Sequence, residues 1–217
     1  MLLYIHMLKA IIFDWGGVLI DNPATDLIDY CARQLKVSSS DFRSSFRTHL
    51  RPFQLGEISE KTFWSRICKS LQVKPPTNSL WRQAADQVFK ENEEIFSLLE
   101  SLKANGYKTA ILSDTELPMV DYFFDHNYHH YFDVYTFSCL EHLVKPDPTI
   151  YLKTLNKLQV SPSEAIFIDD KPKNIRGAQK VGLSGIVFHD FKQLVQDLRI
   201  YLPTNDKFKT SSTLSTG

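Results

Sequence analysis

Apolar residues in this chain follow two rhythms. Ile11-Ile12-Phe13, Thr109-Ala110-Ile111-Leu112, Val134-Tyr135-Thr136-Phe137, Ala165-Ile166-Phe167-Ile168 and Gly185-Ile186-Val187-Phe188 are short, unbroken runs. Runs of this kind, continuous rather than alternating, read as strands of a sheet covered on both faces. Elsewhere apolar positions recur every three or four residues, the helical period. For almost a hundred residues after the first run only this second rhythm appears. Leu27, Ile28, Cys31, Ala32 and Leu35 share one face, as do Phe63, Trp64, Ile67, Cys68 and Leu71, and Trp81, Ala84, Ala85, Val88 and Phe89. Ser59 with Thr62 opens one of these helices, Asp41 is expected to cap another, and Pro75-Pro76-Thr77 separates the last two.

From Glu94 onward strand and helix alternate. Ile95, Leu98, Leu99 and Leu102 form a helix that Asn105-Gly106 stops. Val120, Phe123 and Phe124 mark the next, and Ile150 to Leu158 another. Ile175, Ala178 and Val181 mark a helix ended by Gly182, and Leu194, Val195 and Leu198 the last. Alternation implies an α/β chain with a doubly wound parallel sheet. A block of helices after one isolated strand implies an insertion. The expected division is a core of residues 8–21 and 91–203, a small α-helical cap of residues 22–90, and a tail from 204 to 217. The Ser/Thr-rich end of that tail has little to bury, so disorder is expected there.

Composition narrows the function classes. The chain has 217 residues, 43% hydrophobic and 12% aromatic, enough for a packed core. Twenty-five basic residues balance 25 acidic ones, so no basic footprint for nucleic acid is present. Cys31, Cys68 and Cys139 are widely spaced and suit buried thiols in a reducing compartment. No apolar stretch nears the roughly 20 residues that span a bilayer, and Met1 to His6 is too short for a secretory signal. The expectation is a cytoplasmic protein, monomer or homodimer, with no membrane or nucleic-acid partner.

Four reactive segments lie at the ends of apolar runs or in loops between elements: Asp14, Ser113, Lys145 in Lys145-Pro146-Asp147-Pro148, and Asp169-Asp170. Strand ends of an open parallel sheet converge on one crevice. Adjacent carboxylates repel, and a cation is their natural compensation. Magnesium takes oxygen ligands and needs one or two carboxylates, with water and phosphate completing its shell. Asp14, Asp170 and a backbone carbonyl near Gly16 would suffice, with Asp169 a direct or water-mediated ligand. Ser113 and Lys145 suit phosphate, and Gly16-Gly17 lets the backbone approach a ligand.

Together these segments resemble the haloacid dehalogenase superfamily of aspartate-nucleophile hydrolases. The resemblance rests on Ile11 to Leu19, Leu112-Ser113-Asp114, Val144 to Tyr151 and Phe167 to Ala178, in that order, and spans roughly residues 8–202. It implies a Rossmann-like three-layer core with a helical cap, a small phosphorylated metabolite as substrate, and Mg2+ as cofactor. It also implies roles for single residues. Asp14 would be nucleophile and metal ligand, and the Gly16 carbonyl and Asp169 with Asp170 would complete the metal site. Ser113 and Lys145 would hold phosphate. Asp114 stands where asparagine is more usual.

Glycine at position 16 departs from the family's phosphatases, which carry there an aspartate that protonates the leaving group. General acid–base help is worth roughly 10²–10⁴-fold. Three readings stay open. The chain hydrolyses phosphates with comparatively good leaving groups, such as a sugar 1-phosphate, an aryl phosphate or an acyl phosphate, a water or a cap residue supplying the proton and Asp114 being a candidate by position only. Or it is a metal-independent 2-haloacid dehalogenase, which needs no leaving-group proton. Or it is a catalytically weak binding or regulatory protein. Arg47, Arg51 and Gln54 of the cap are candidates to face the crevice, and Trp15 to line its entrance.

Overall fold

The computed structural model describes residues 8–202. The expectations for Met1 to His6 and for the tail beyond 203 lie outside the described residues. Five strands, β1 (Ala10–Phe13), β2 (Lys108–Ser113), β3 (Val134–Phe137), β4 (Ala165–Asp169) and β5 (Ser184–Val187), form one parallel sheet in the order β3-β2-β1-β4-β5. The chain winds outward from β1 to β3, then returns to the other side of β1. This is the doubly wound, Rossmann-like fold expected, with β1 at its centre.

Both faces of the sheet are covered, which is why its strands lack polar alternation. On one face Ile11, Phe13 and Ile111 pack with residues of α5 (Glu93–Ala104), α6 (Leu117–Asp125) and α10 (Phe191–Leu198). On the other, Ile12, Leu112 and Phe167 pack with residues of α8 (Pro148–Leu158) and α9 (Pro172–Lys180). A one-turn helix, α7 (Ser138–Glu141), follows β3 and was not foreseen; four residues are too few to show a period.

Four helices are inserted between β1 and α5: α1 (Ala24–Leu35), α2 (Ser39–Gln54), α3 (Glu60–Leu71) and α4 (Leu80–Val88). Their common core is aromatic: Phe53 stacks on Phe63 at 4.3 Å between ring centroids, and Phe46 on Trp81 at 5.2 Å. Removing one such buried ring costs about 3–5 kcal/mol. Ser59 caps α3 by accepting the Thr62 N–H, as expected. The cap of α2, however, is Ser38 and not Asp41. The Ser38 hydroxyl accepts the Asp41 N–H, and Asp41 lies in the first turn, where its charge suits the helix dipole. The chain enters and leaves the insertion through paired linkers. Asp21 N–H donates to Lys90 O and Asn92 N–H to Leu19 O, each at 2.9 Å.

Candidate functional site

Strand register decides what meets at the centre. Phe13 is level with Ile111 and Ile168, so Asp14, Ser113 and Asp169 emerge beside one another at the carboxyl ends of β1, β2 and β4. Lys145 reaches the same point from the loop before α8, and its bond to Pro146 is cis. All four are nearly inaccessible to solvent.

Lys145 Nζ lies 2.8 Å from Asp14 Oδ1, 2.8 Å from Asp169 Oδ2 and 3.1 Å from Leu112 O. An ammonium group has three donors, and these partners use all three. Burial works against its charge, but the Asp14 and Asp169 carboxylates outweigh that and raise its pKa. Asp14 Oδ1 also accepts the Trp15 N–H at 2.7 Å. Its Oδ2 has no hydrogen-bond partner among the described residues, and Asp14 lines the cavity. Burial raises the Asp14 pKa, Lys145 opposing and Asp169 reinforcing the rise.

The acidic pair divides. Asp169 is saturated: besides Lys145, it accepts from Lys171 N–H at 2.8 Å and from Asn174 Nδ2 at 2.9 and 3.0 Å. Burial pushes its pKa up, but Lys145 and these donors bring it below the ordinary value. Asp170 is under-bonded. Its Oδ1 is buried with no hydrogen bond, the nearest cation being Lys171 Nζ at 3.5 Å, and its Oδ2 has only Asn22 Nδ2 at 3.4 Å. One oxygen each from Asp14, Asp169 and Asp170 lies within 4.8 Å of the others. An orphaned carboxylate oxygen in a cluster of three acids fits a hard divalent cation. Gly17 permits this crowding. Its φ is +88°, and a Cβ there would stand 2.6 Å from Asp170 Oδ2. At Gly16 a Cβ would meet only Pro23 Cδ at 3.6 Å, an ordinary contact.

Ser113 lines the cavity, and its hydroxyl makes no hydrogen bond among the described residues. Asp114 lines it too, but Asp114 Oδ1 accepts the Lys145 N–H at 2.8 Å, which ties two of the sequence segments together. Gln54 reaches the cavity, whereas Arg47 and Arg51 are exposed and outside its lining. Trp15 both lines it and packs edge-on against Phe89, Phe123 and Tyr128.

The sequence reading missed Asn174, Glu116 and Ser138. Glu116 is buried and accepts Trp81 Nε1–H of the cap at 3.1 Å. Burial pushes its pKa up to about 7 against the opposing hydrogen bonds from Trp81 and Gln54. Ser138, fully buried, accepts the Thr115 N–H at 2.8 Å and lies 2.7 Å from Gln54 O, joining the loop after β2 to the cap. Asn174 falls one turn into α9 after Asp169-Asp170, a spacing that offers a signal; Glu116 and Ser138 offer none without the fold.

A family model described as haloacid dehalogenase-like hydrolase matches residues 8–182. Mouse acyl-CoA dehydrogenase family member 10 is 30% identical over 205 residues, covering 89% of this chain but only 19% of that much longer protein. Sesquiterpene phosphatase astK of Aspergillus oryzae is 28% identical over 196 residues, 88% of this chain and 95% of that one. Among solved structures, a Bacteroides thetaiotaomicron enzyme of the same family, bt-2542, in complex with magnesium and inorganic phosphate, superposes with a TM-score of 0.73. It is 21% identical, covering 86% of this chain and 98% of that chain, a likeness of fold.

Proposed function

Because this chain belongs to the haloacid dehalogenase-like hydrolases, we propose that it hydrolyses small phosphate monoesters through an aspartyl-phosphate on Asp14. The carrying observation is the hold on Asp14, which lines the cavity: Lys145 and the Trp15 N–H grip Oδ1, while Oδ2 has no hydrogen bond among the described residues. In this reading Oδ2 attacks phosphorus, the ester P–O bond breaks, and the alcohol leaves with a proton from water, since Gly16 has no side chain to give one. A second water then attacks phosphorus, releasing phosphate and restoring the Asp14 carboxylate. Ser113 donates its hydroxyl to a phosphate oxygen.

Asp14, Asp170 and the Gly16 carbonyl would hold magnesium, which when bound neutralises charge on the phosphoryl oxygens. Asp169 is saturated by protein donors, so we assign it to positioning Lys145, with at most a water-mediated share in the metal. Likewise Lys145 positions Asp14, its three donors being in use, and reaches phosphate only by exchanging one. Asp114, tied to the Lys145 backbone, has one carboxylate oxygen committed to structure. The cap is taken as residues 22–90 and the core as 8–21 and 91–203. A metal-independent dehalogenase would leave the buried Asp170 Oδ1 without a hydrogen bond, Lys171 Nζ at 3.5 Å being its nearest counter-charge among the described residues, and no observation favours that reading.

The test is phosphate release from aryl and alkyl phosphates with and without magnesium, using Asp14→Asn as control. Turnover that requires both magnesium and Asp14 is expected. Equal turnover by Asp14→Asn would overturn the proposal.

A further inference from the structure

The cavity above Asp14, about 350 Å3, is within the range of small-molecule sites. Its two halves differ. Asp14, Ser113 and Lys145 form a charged floor, and Lys171 and Lys173 match a phosphate's charge. The walls beyond are Leu27, Phe46, Leu50 and Trp81 of the cap, with Phe89 and Met119. Several polar groups beside those walls are already bonded within the protein, and the Thr115 hydroxyl is a small exception. Trp81 Nε1 donates to Glu116 at 3.1 Å. Gln54 O accepts from Ser138, and Gln54 Nε2 lies 3.5 Å from Asp114 O. The Asn22 side chain accepts the Ala24 N–H and faces Asp170.

We infer that the ester's organic part is an apolar alkyl or aryl group seated against these walls, and not the sugar that is one expectation from the sequence. The inference rests on the phosphoryl chemistry proposed at Asp14. A sugar ring would bring several hydroxyls against Leu, Phe, Trp and Met side chains. Each hydroxyl buried without a partner weakens binding by roughly 5- to 150-fold. An alkyl chain loses nothing there, and each methylene buried tightens binding by up to about fourfold.

The experiment measures binding by calorimetry, in magnesium buffer, for methyl-, butyl-, hexyl- and octylphosphonate and for the phosphonate analogue of glucose 6-phosphate. Phosphonates cannot be hydrolysed at the P–C bond, so binding is read apart from turnover. Affinity is expected to rise about threefold per methylene up to the capacity of the cavity, with the sugar phosphonate no tighter than methylphosphonate. Leu50→Gln should weaken octylphosphonate at least tenfold more than it weakens methylphosphonate; Leu27→Asn is the second variant should the first fold poorly. Affinity that is flat with chain length, or tighter for the sugar phosphonate than for octylphosphonate, would overturn the inference. Acetyl phosphate keeps the two claims separate. Its Asp14-dependent hydrolysis alongside a flat ladder leaves the reaction standing and removes the apolar substrate. A steep ladder without hydrolysis does the reverse.

Discussion

On the floor of the cavity polar groups bond in a branched network: Lys145 to Asp14, Asp169 and Leu112 O, and Asp169 to Asn174 and the Lys171 N–H. Two oxygens have no hydrogen bond among the described residues, Asp14 Oδ2 and the buried Asp170 Oδ1. On the cap side polar groups bond to one another across the cap–core boundary, Trp81 to Glu116 and Ser138 to Gln54, and Leu27, Phe46, Leu50, Phe89 and Met119 line the cavity with apolar surface. The contrast teaches where each property resides. The floor leaves reactive atoms unbonded by design of its hydrogen bonds, so it can carry the reaction. The cap wall leaves only shape and apolar surface, so it can choose the substrate.

The hardest test of that contrast is Lys145→Met. Removing one member of a buried ion network leaves Asp14 and Asp169 uncompensated, so a loss of about 3–5 kcal/mol in stability is expected, with phosphate release falling by at least about 10²-fold. Urea denaturation and a kinetic assay check the two effects. Next is Gly17→Ala, which forces a Cβ into a left-handed backbone and against Asp170 Oδ2. A backbone cost of about 1–2 kcal/mol is expected, together with at least a tenfold rise in the magnesium concentration needed for half-maximal rate. The same titration on an exposed variant such as Lys180→Ala should be unchanged.

Gly16→Asp sharpens the comparison in the opposite direction. Position 16 has room for a Cβ, and general acid–base help is worth roughly 10²–10⁴-fold when well placed. A gain of about tenfold or more is expected for alkyl phosphates, whose leaving groups need a proton, and little change for p-nitrophenyl phosphate. Equal effects on both would mean that leaving-group protonation does not limit the present enzyme.

The last effect concerns stability alone, on the cap side of the cavity. Glu116 has its pKa raised by burial from 4.5 to about 7. Between those values the folded protein holds a proton that the unfolded chain has released. The stability associated with the neutral form is therefore fully present below pH 4.5 and lost as pH rises through 7. Glu116→Gln removes that loss. Relative to the unsubstituted protein, it should gain stability between pH 5 and pH 8, by up to about 3 kcal/mol. Melting curves at the two values check this, and an identical difference at both would contradict it.

The same division governs what was legible in the chain. The floor is local: Asp14, Ser113 and Asp169-Asp170 each end or follow a buried strand, and parallel strands in register bring such ends together. The doubly wound parallel sheet could therefore be anticipated from alternation, and the cap from the long helical insertion. The cap was legible as helices but not as a wall. Phe46 and Trp81 lie on apolar faces that serve the cap's own core and the cavity at once, and helical period does not separate these uses. Ser138 and Glu116 act through partners 84 and 35 residues away, and only the folded chain brings them together. The difference between Asp169 and Asp170 was equally hidden, because two adjacent identical letters become unlike once Asn174, Lys145 and the Lys171 N–H all bond to the first.

The central claim is that phosphorus passes through Asp14, and a trapping experiment addresses it most directly. The protein would be quenched during turnover of p-nitrophenyl phosphate with magnesium, reduced with borohydride, and digested for mass spectrometry. Borohydride converts an aspartyl-phosphate to homoserine, so the peptide containing Asp14 should carry that change, and the Asp170 peptide should not. Steady phosphate release with an unmodified Asp14, or with the mark on Asp170, would contradict the account.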